Sequence, residues 1–141
     1  MKLFVDISGW VALLDRKDPG HARTTQVYRD RAGARSAILT SDYVLAETLN
    51  VLFLHRPHAE GWRFAQWALA AGAQKLLQVE QVTQNRFVQA LEMKKRFADI
   101  STLSFTDLTT LAILSESGTR EILTANTQFR RVGLGLHILP E

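Results

Sequence analysis

The stretch Lys2-Leu3-Phe4-Val5-Asp6, residues 2–6, indicates how the whole chain is organised. Three consecutive apolar residues without polar alternation are typical of a short strand buried on both faces, as in a parallel sheet. Asp6 follows at the carboxyl end of that strand. Because ligands bind outside the carboxyl ends of the strands in open α/β sheets, we expect Asp6 to be a site residue. Other segments of the chain would bring acidic partners to it.

The composition of the chain, with 141 residues of which 46% are hydrophobic, predicts a single domain over residues 1–141. Because there is no cysteine, disulfides and thiolate zinc sites are excluded. Asp6, Asp15 and Asp18 lie within the first twenty residues, so we expect no signal peptide. No apolar run reaches the ~20 residues that a membrane span needs, so we expect no membrane span. We therefore expect a cytoplasmic protein. The net charge of +3 permits contact with nucleic acid but does not predict it unaided.

Further short apolar segments alternate with helical patterns along the chain. Strands are predicted at residues 37–39, 75–79, 121–123 and 136–139, and helices at residues 8–14, 23–32, 43–55, 58–71, 82–97 and 105–116. Such alternation is typical of βαβ units, in which a parallel sheet is covered on both faces. The sequence therefore predicts an α/β fold, a three-layer α/β/α sandwich with a central parallel sheet of four to five strands.

Glu47 belongs to one stripe of the predicted helix over residues 43–55. The stripe has helical spacing and consists of Val44, Glu47, Val51 and Leu54. A carboxylate buried among apolar residues costs several kcal/mol, roughly, unless a cation or hydrogen-bond donors compensate. Glu47 is therefore a site residue, a buried acid paired with an arginine, or an exposed acid on a slightly rotated helix.

Asp107 lies in the first turn of the predicted helix over residues 105–116. The segment Ser104-Phe105-Thr106-Asp107 matches a capping box, in which the acid only completes the start of the helix. Asp107 also shares an inward stripe with Leu111 and Leu114. For Asp107 taken alone, capping is the stronger interpretation, although one carboxylate can cap a helix and bind a metal at once.

Asp6, Glu47 and Asp107 together are more informative than any one of them. Three carboxylates that converge repel one another unless a divalent cation neutralises them. Because only oxygen ligands are available, Mg²⁺ or Mn²⁺ suits such a site better than zinc. These metals assist phosphodiester hydrolysis by lowering the pKa of a water nucleophile and offsetting charge on the phosphate. The three acids therefore predict metal-assisted phosphoryl chemistry.

Four motifs along the chain resemble those of PIN-domain ribonucleases, in particular the VapC-type toxins of toxin–antitoxin pairs. The motifs are Phe4-Val5-Asp6-Ile7-Ser8, Thr40-Ser41-Asp42-Tyr43-Val44-Leu45-Ala46-Glu47, Ser104-Phe105-Thr106-Asp107 and Leu123-Thr124-Ala125-Asn126-Thr127-Gln128-Phe129. The resemblance covers nearly the whole chain and implies a PIN-like sandwich. It also implies a Mg²⁺- or Mn²⁺-dependent endoribonuclease, a hydrolase with RNA as substrate. A small antitoxin protein and a second copy of the chain, forming a homodimer, are the implied partners.

The same resemblance assigns roles to individual residues. Asp6, Glu47 and Asp107 would be the catalytic, metal-binding acids, and Ser8 would orient a ligand or a metal-bound water beside the first of them. Asn126 stands where the family usually has Asp, so its oxygen can still bind a metal but one negative charge is lost. We therefore expect weaker metal binding or lower activity. The alternative is a non-catalytic or weakly active domain that binds RNA or protein.

Two further features have open interpretations. Arg130 and Arg131 follow the fourth motif and either contact phosphate or form an exposed loop pair. Trp62 and Trp67 are about 140° apart round a helix. They indicate either an aromatic surface for a partner or a wide apolar core face.

A rival enzyme class would use Asp6 as a phosphoryl-accepting nucleophile, as in haloacid-dehalogenase-like phosphatases. That chemistry needs a second Asp two residues further on, where this chain has Ser8. The sequence therefore favours the metal-dependent nuclease.

Overall fold

Five parallel strands form one sheet in the computed structural model, which describes residues 1–141. The strands are β1 (Lys2–Val5), β2 (Ala37–Ser41), β3 (Gln78–Glu80), β4 (Glu121–Leu123) and β5 (His137–Leu139). Their order across the sheet is β3-β2-β1-β4-β5, and every neighbouring pair is parallel. The predicted α/β fold with a parallel sheet is confirmed, and the sheet has the larger of the two predicted strand numbers.

β1 lies at the centre of the sheet. Phe4 pairs with Leu39 of β2 on one side and with Ile122 of β4 on the other. Leu3, Phe4 and Val5 are all fully buried. An apolar run without alternation is therefore buried on both faces of the sheet, as residues 2–6 predict.

Six α-helices flank the sheet. They are α1 (Ile7–Leu14), α2 (His21–Gly33), α3 (Asp42–His55), α4 (His58–Ala73), α5 (Gln84–Arg96) and α6 (Phe105–Ser117), and a 3₁₀ helix (Thr127–Val132) follows β4. The ends of the α-helices differ from the predicted ones by no more than two residues. α5 packs against α6, and α1 contacts α2 and α3. None of these helices combines the length and the apolar character that crossing a membrane requires.

β3 begins later than the sequence predicts, at Gln78 instead of residue 75. The cause is the end of α4, where Lys75 has a left-handed φ of 61°. The N–H groups of Leu76 and Leu77 both donate to the carbonyl oxygen of Ala71, at 2.9 and 3.2 Å. These bonds fold the chain back over the end of the helix, so extended backbone starts only after Leu77.

Gly9 allows α1 to lie directly against the end of β4. A Cβ at this position would overlap the carbonyl oxygen of Leu123 and would also come within 3.2 Å of the Val5 side chain. Only glycine lacks the atom that would collide. The close approach places Ser8 beside the segment that follows β4.

Candidate active site

Asp6 lies at the carboxyl edge of the sheet and is only 3% exposed. Its N–H donates to the carbonyl oxygen of Leu123 at 3.1 Å, which continues the pairing between β1 and β4. The residue is the N-cap of α1, but its side chain makes no capping hydrogen bond. Instead, Thr124 Oγ1 donates to Asp6 Oδ2 at 2.9 Å. The other carboxylate oxygen, Oδ1, is buried and has no hydrogen-bond partner.

The environment of Asp6 disfavours its charged form. Burial raises the pKa of Asp6 from 3.8 to about 6, and the negative charges of Asp107 and Glu47 act in the same direction. The backbone N–H of Ile7, which lies near the carboxylate, and the hydroxyl of Thr124 lower the pKa and oppose this shift only in part. Since an unpaired oxygen of a buried carboxylate is costly, a cation at Asp6 would relieve an existing penalty.

Asp107 caps α6 and lies at the same edge of the sheet. Ser104 Oγ accepts from the N–H of Asp107 at 3.0 Å, and Asp107 Oδ2 accepts from the N–H of Ser104 at 2.9 Å. The capping box is therefore confirmed. Asp107 is only 6% exposed, and burial raises its pKa, as does the charge of Glu47. The carboxylate of Asp107 thus caps the start of α6 and is also repelled by the charge of Glu47.

Glu47 does not point into the core as its apolar stripe suggests. The buried residues of α3 are Val44, Thr48 and Leu52, whereas Leu54 is 76% exposed. The helix is thus rotated so that Glu47 is half-buried at the border of the core face. Its Oε1 atom accepts a hydrogen bond from the hydroxyl of Thr106 in α6. Of the interpretations open for this residue, the pairing with an arginine is wrong.

Ser8 and Thr124 form a hydroxyl network that holds the first acid. The two hydroxyl oxygens are 3.0 Å apart, and Ser8 Oγ also accepts from the N–H of Ala125 at 2.8 Å. Thr124 Oγ1 in turn accepts from the N–H of Asn126 at 3.0 Å. Ser8 therefore acts on the segment after β4, and the residue that contacts Asp6 is Thr124. The sequence assigns no role to Thr124 or Thr106, although each is a hydroxyl residue within one of the four motifs.

Asn126 lies between β4 and the 3₁₀ helix, and both ends of its amide are engaged. Asn126 Oδ1 accepts from the N–H of Gln128 at 3.0 Å, which caps the 3₁₀ helix. Asn126 Nδ2 donates to Asp107 Oδ2 at 3.3 Å. The amide of Asn126 therefore connects the segment after β4 to Asp107, one of the three acids.

Arg130 and Arg131 lie in the 3₁₀ helix and are exposed. Arg131 donates to Gln128 Oε1 at 3.0 Å, and neither arginine forms an ion pair with an acid. Their positive charges therefore remain available to an anionic ligand, a few residues beyond Asn126.

The three acids share a pattern that bears on metal binding. One oxygen of each accepts a hydrogen bond, namely Asp6 Oδ2, Glu47 Oε1 and Asp107 Oδ2, and the other accepts none. No group of three His, Cys, Asp or Glu side chains is already arranged to hold an ion. The donors are nonetheless all oxygen, and the buried Asp6 Oδ1 lacks a partner. These residues fit a hard divalent cation such as Mg²⁺ or Mn²⁺.

An apolar groove lies apart from the acids. It has a volume of about 490 Å³, and the side chains that line it include Trp10, Leu13, Tyr28, Phe64 and Trp67. Trp67 is 43% exposed and Trp62, further along α4, is 62% exposed. The two tryptophans therefore leave an aromatic surface on α4, so the core-face interpretation is wrong.

Comparisons with known proteins bear on the fold and on the family of the chain. The PIN domain family model matches residues 3–134 of the chain. VapC20 of Mycobacterium tuberculosis, a sarcin–ricin loop cleaving toxin, is 28% identical with a TM-score of 0.73, and the match covers 93% of this chain and 95% of that chain. VapBC2 of Rickettsia felis, bound to a DNA fragment from its promoter, shares the fold at 14% identity with a TM-score of 0.73, covering 98% and 97%. A comparison with curated proteins gives no match.

Proposed function

This chain belongs to the PIN domain family, and we propose that it is a Mg²⁺- or Mn²⁺-dependent endoribonuclease, the toxin of a toxin–antitoxin pair. It would hydrolyse RNA phosphodiester bonds in the cytoplasm. The 28% identity to VapC20 over 93% of the chain supports this proposal.

The observation that carries the proposal is the state of Asp6. A carboxylate that is 3% exposed has one oxygen without any partner, and burial, with a smaller contribution from two further acids, raises its pKa. A purely structural acid in this position would be expected to have an arginine or a full set of donors. A divalent cation supplies the missing partner and offsets the repulsion among the acids.

Different residues of the chain would then have different roles at this site. Asp6, Glu47 and Asp107 would hold the ion through their unengaged oxygens, while Ser8 and Thr124 keep the first acid in place. The ion would supply an acidified water and a charge that offsets the phosphate.

The 3₁₀ helix would place Arg130 and Arg131 where they bind phosphates of the RNA backbone. Attack by water in line with the leaving oxygen would give 5′-phosphate and 3′-hydroxyl ends. The 2′-hydroxyl of the RNA takes no part in this reaction.

A cleavage assay with added metal tests the proposal. The substrates are total ribosomal RNA and an RNA oligonucleotide with the sarcin–ricin loop, because that loop is the target of the M. tuberculosis relative. We expect cleavage that depends on Mn²⁺ or Mg²⁺ and stops in excess EDTA. Asp6→Asn and Asp107→Asn should each lower the rate about 100-fold or more, because a charge at the reaction centre is lost.

The matched control is Asp99→Asn, which makes the same chemical change at an exposed acid with no side-chain hydrogen bond. It should cleave at the wild-type rate. If folded Asp6→Asn and Asp107→Asn proteins cleave as fast as this control, the assignment of the metal site is wrong.

A second candidate function, binding of RNA or protein without cleavage, is favoured by one contact. The amide of Asn126 donates a hydrogen bond to Asp107. An Asp at position 126 would instead repel Asp107 and would need a cation between the two carboxylates. RNA binding that persists at every Mn²⁺ concentration without any cleavage would support this candidate against the nuclease.

We also propose two protein partners, a small antitoxin that occupies the apolar groove and a second copy of the chain. The apolar lining of the groove and the exposed Trp67 support the first partner. The product of the adjacent reading frame should change the tryptophan fluorescence in a titration, because Trp10 and Trp67 both line the groove. Trp67→Ala should weaken that binding. Light scattering at several concentrations tests the dimer, and a monomer at all of them would refute it.

A further inference from the structure

We propose that Asn126 is a positioning residue that holds Asp107 in the metal-free protein and is not itself a metal ligand. The inference rests on the proposed function, because it concerns the same site. It departs from the sequence-based expectation that the amide oxygen of Asn126 remains free to bind a metal.

The orientation of the Asn126 amide follows from its two neighbours. The atom that faces the N–H of Gln128 at 3.0 Å must be the oxygen, and the atom that faces Asp107 Oδ2 at 3.3 Å must be the nitrogen. The reversed amide would place two donors against each other at one end and two acceptors at the other. The oxygen of Asn126 is therefore committed to the backbone of the 3₁₀ helix.

The nitrogen of Asn126 does what a carboxylate at this position could not do. An Asp in the same rotamer would cap the 3₁₀ helix with one oxygen and place the other about as close to Asp107 Oδ2 as the amide nitrogen now lies. Two carboxylate oxygens at hydrogen-bond distance repel strongly unless a cation lies nearby. Asn126 replaces that repulsion by a hydrogen bond, so Asp107 stays in place whether or not an ion is bound.

The position of Asp107 depends on two anchors. The N–H of Ser104 and the amide of Asn126 both donate to Asp107 Oδ2, at 2.9 and 3.3 Å. The other oxygen, Oδ1, accepts no hydrogen bond. Two donors on one oxygen keep the carboxylate in a single orientation and leave the second oxygen for the ion. The anchor from Asn126 links the segment after β4 to the first turn of α6.

Three substitutions separate this role from simple capping. Asn126→Asp keeps the cap and replaces the amide donor by a like charge. Asn126→Ser keeps a capping oxygen but cannot reach Asp107. The matched control, Gln128→Glu, adds the same charge to the same 3₁₀ helix and retains the acceptor for Arg131. It does not touch Asp107.

The experiment is thermal unfolding in EDTA and then in a titration with Mg²⁺. We expect the melting temperature in EDTA to fall by about 5 °C or more in Asn126→Asp, less in Asn126→Ser, and hardly at all in Gln128→Glu. Saturating Mg²⁺ should restore more of the melting temperature in Asn126→Asp than it adds to the wild type. In Asn126→Ser, the apparent affinity for Mg²⁺ should fall several-fold, which a merely structural cap would not cause.

The inference is overturned if Asn126→Asp and Gln128→Glu melt at the same temperature in EDTA. It is also overturned if Asn126→Ser matches the wild type in both stability and Mg²⁺ affinity. If Asn126→Asp does not fold, the stability of Asn126→Ser in EDTA and its apparent affinity for Mg²⁺ decide the question. If the proposed nuclease function is wrong, the result differs. Mg²⁺ then has no effect on the melting temperature of the wild type, while in EDTA Asn126→Asp still melts below Asn126→Ser and Asn126→Ser below Gln128→Glu.

Discussion

Replacing Asp6 by Asn should stabilise the metal-free protein at neutral pH, although it removes a residue of the proposed site. The carboxylate is 3% exposed, and its Oδ1 atom has no partner. An amide of the same shape can keep an oxygen on the hydroxyl of Thr124 and carries no charge to be desolvated. Asp6→Asn therefore removes the cost of burying a charged carboxylate, which destabilises the folded wild type when no metal is bound.

The magnitude follows from the pKa of Asp6, which is about 6 in the folded protein against 3.8 for an unperturbed Asp. The folded state binds the proton more tightly, so this contribution to stability is complete below pH 3.8 and is lost as the pH rises through 6. At about 1.4 kcal/mol for each pH unit, the charge costs about 3 kcal/mol above pH 6. The new amide also lacks an ideal hydrogen-bond partner, which offsets part of this gain. We therefore expect the free energy of unfolding of Asp6→Asn to exceed that of the wild type by about 2 kcal/mol.

The assay is urea unfolding in EDTA at pH 4.5, 6 and 7.5, for wild type and Asp6→Asn. The difference in the free energy of unfolding should be small at pH 4.5 and reach its plateau above pH 6. In thermal unfolding at pH 7.5 the variant should melt about 5–10 °C higher. Saturating Mg²⁺ should stabilise the wild type and leave the variant almost unchanged, which closes or reverses the gap.

The reasoning is refuted if Asp6→Asn is no more stable than the wild type at pH 7.5 in EDTA. A gain of the same size at pH 4.5 would also refute it, since the charge would then not be its source. Asp99→Asn, at an exposed acid, serves as the control and should show no gain at any of the three pH values.

Three further predictions concern the surroundings of the site. Thr124→Val, which removes the donor to Asp6, should destabilise the fold by about 1–3 kcal/mol in urea unfolding; an unchanged midpoint would show that the network is dispensable. Gly9→Ala should cost about 1–3 kcal/mol, because the new methyl group overlaps the end of β4; the measurement is again urea unfolding, and a stability equal to the wild type would contradict the close approach. Arg130→Gln with Arg131→Gln should weaken RNA binding and make its logarithmic salt dependence shallower by about 1.4 in slope for two lost contacts; binding measured from 50 to 300 mM salt with an unchanged slope would exclude both residues from the RNA interface.

Most of the fold could be predicted from the sequence because burial on two faces leaves a distinct pattern. β1 is apolar at three successive positions, β4 at two, and the buried α6 at four, residues 111–114. The start of β3 could not be predicted, because it depends on the left-handed backbone at Lys75. Lys is an uncommon residue for that conformation, so its identity gives no warning of the turn.

The site could be predicted as a set of acids but not as a set of contacts. Asp6 and Asp107 occupy a strand end and a helix start, which local patterns reveal. The rotation of α3 that half-exposes Glu47 depends on how the helix packs, and its apolar stripe was misleading. The hydrogen bonds of Thr124 and Asn126 depend on rotamers and on partners far away in the chain. No local pattern encodes them.

The strand order determines when the surroundings of Asp6 can assemble during synthesis of the chain. β1 is translated early and lies at the centre of the sheet, but its neighbour β4 follows more than a hundred residues later. The bond between Asp6 and Thr124 spans 118 residues. For most of translation, Asp6 therefore lacks the hydroxyl of Thr124 that orients it in the folded protein. Contacts of such long range form late in folding. A nuclease built in this way would be inert towards the message that encodes it until translation is nearly complete.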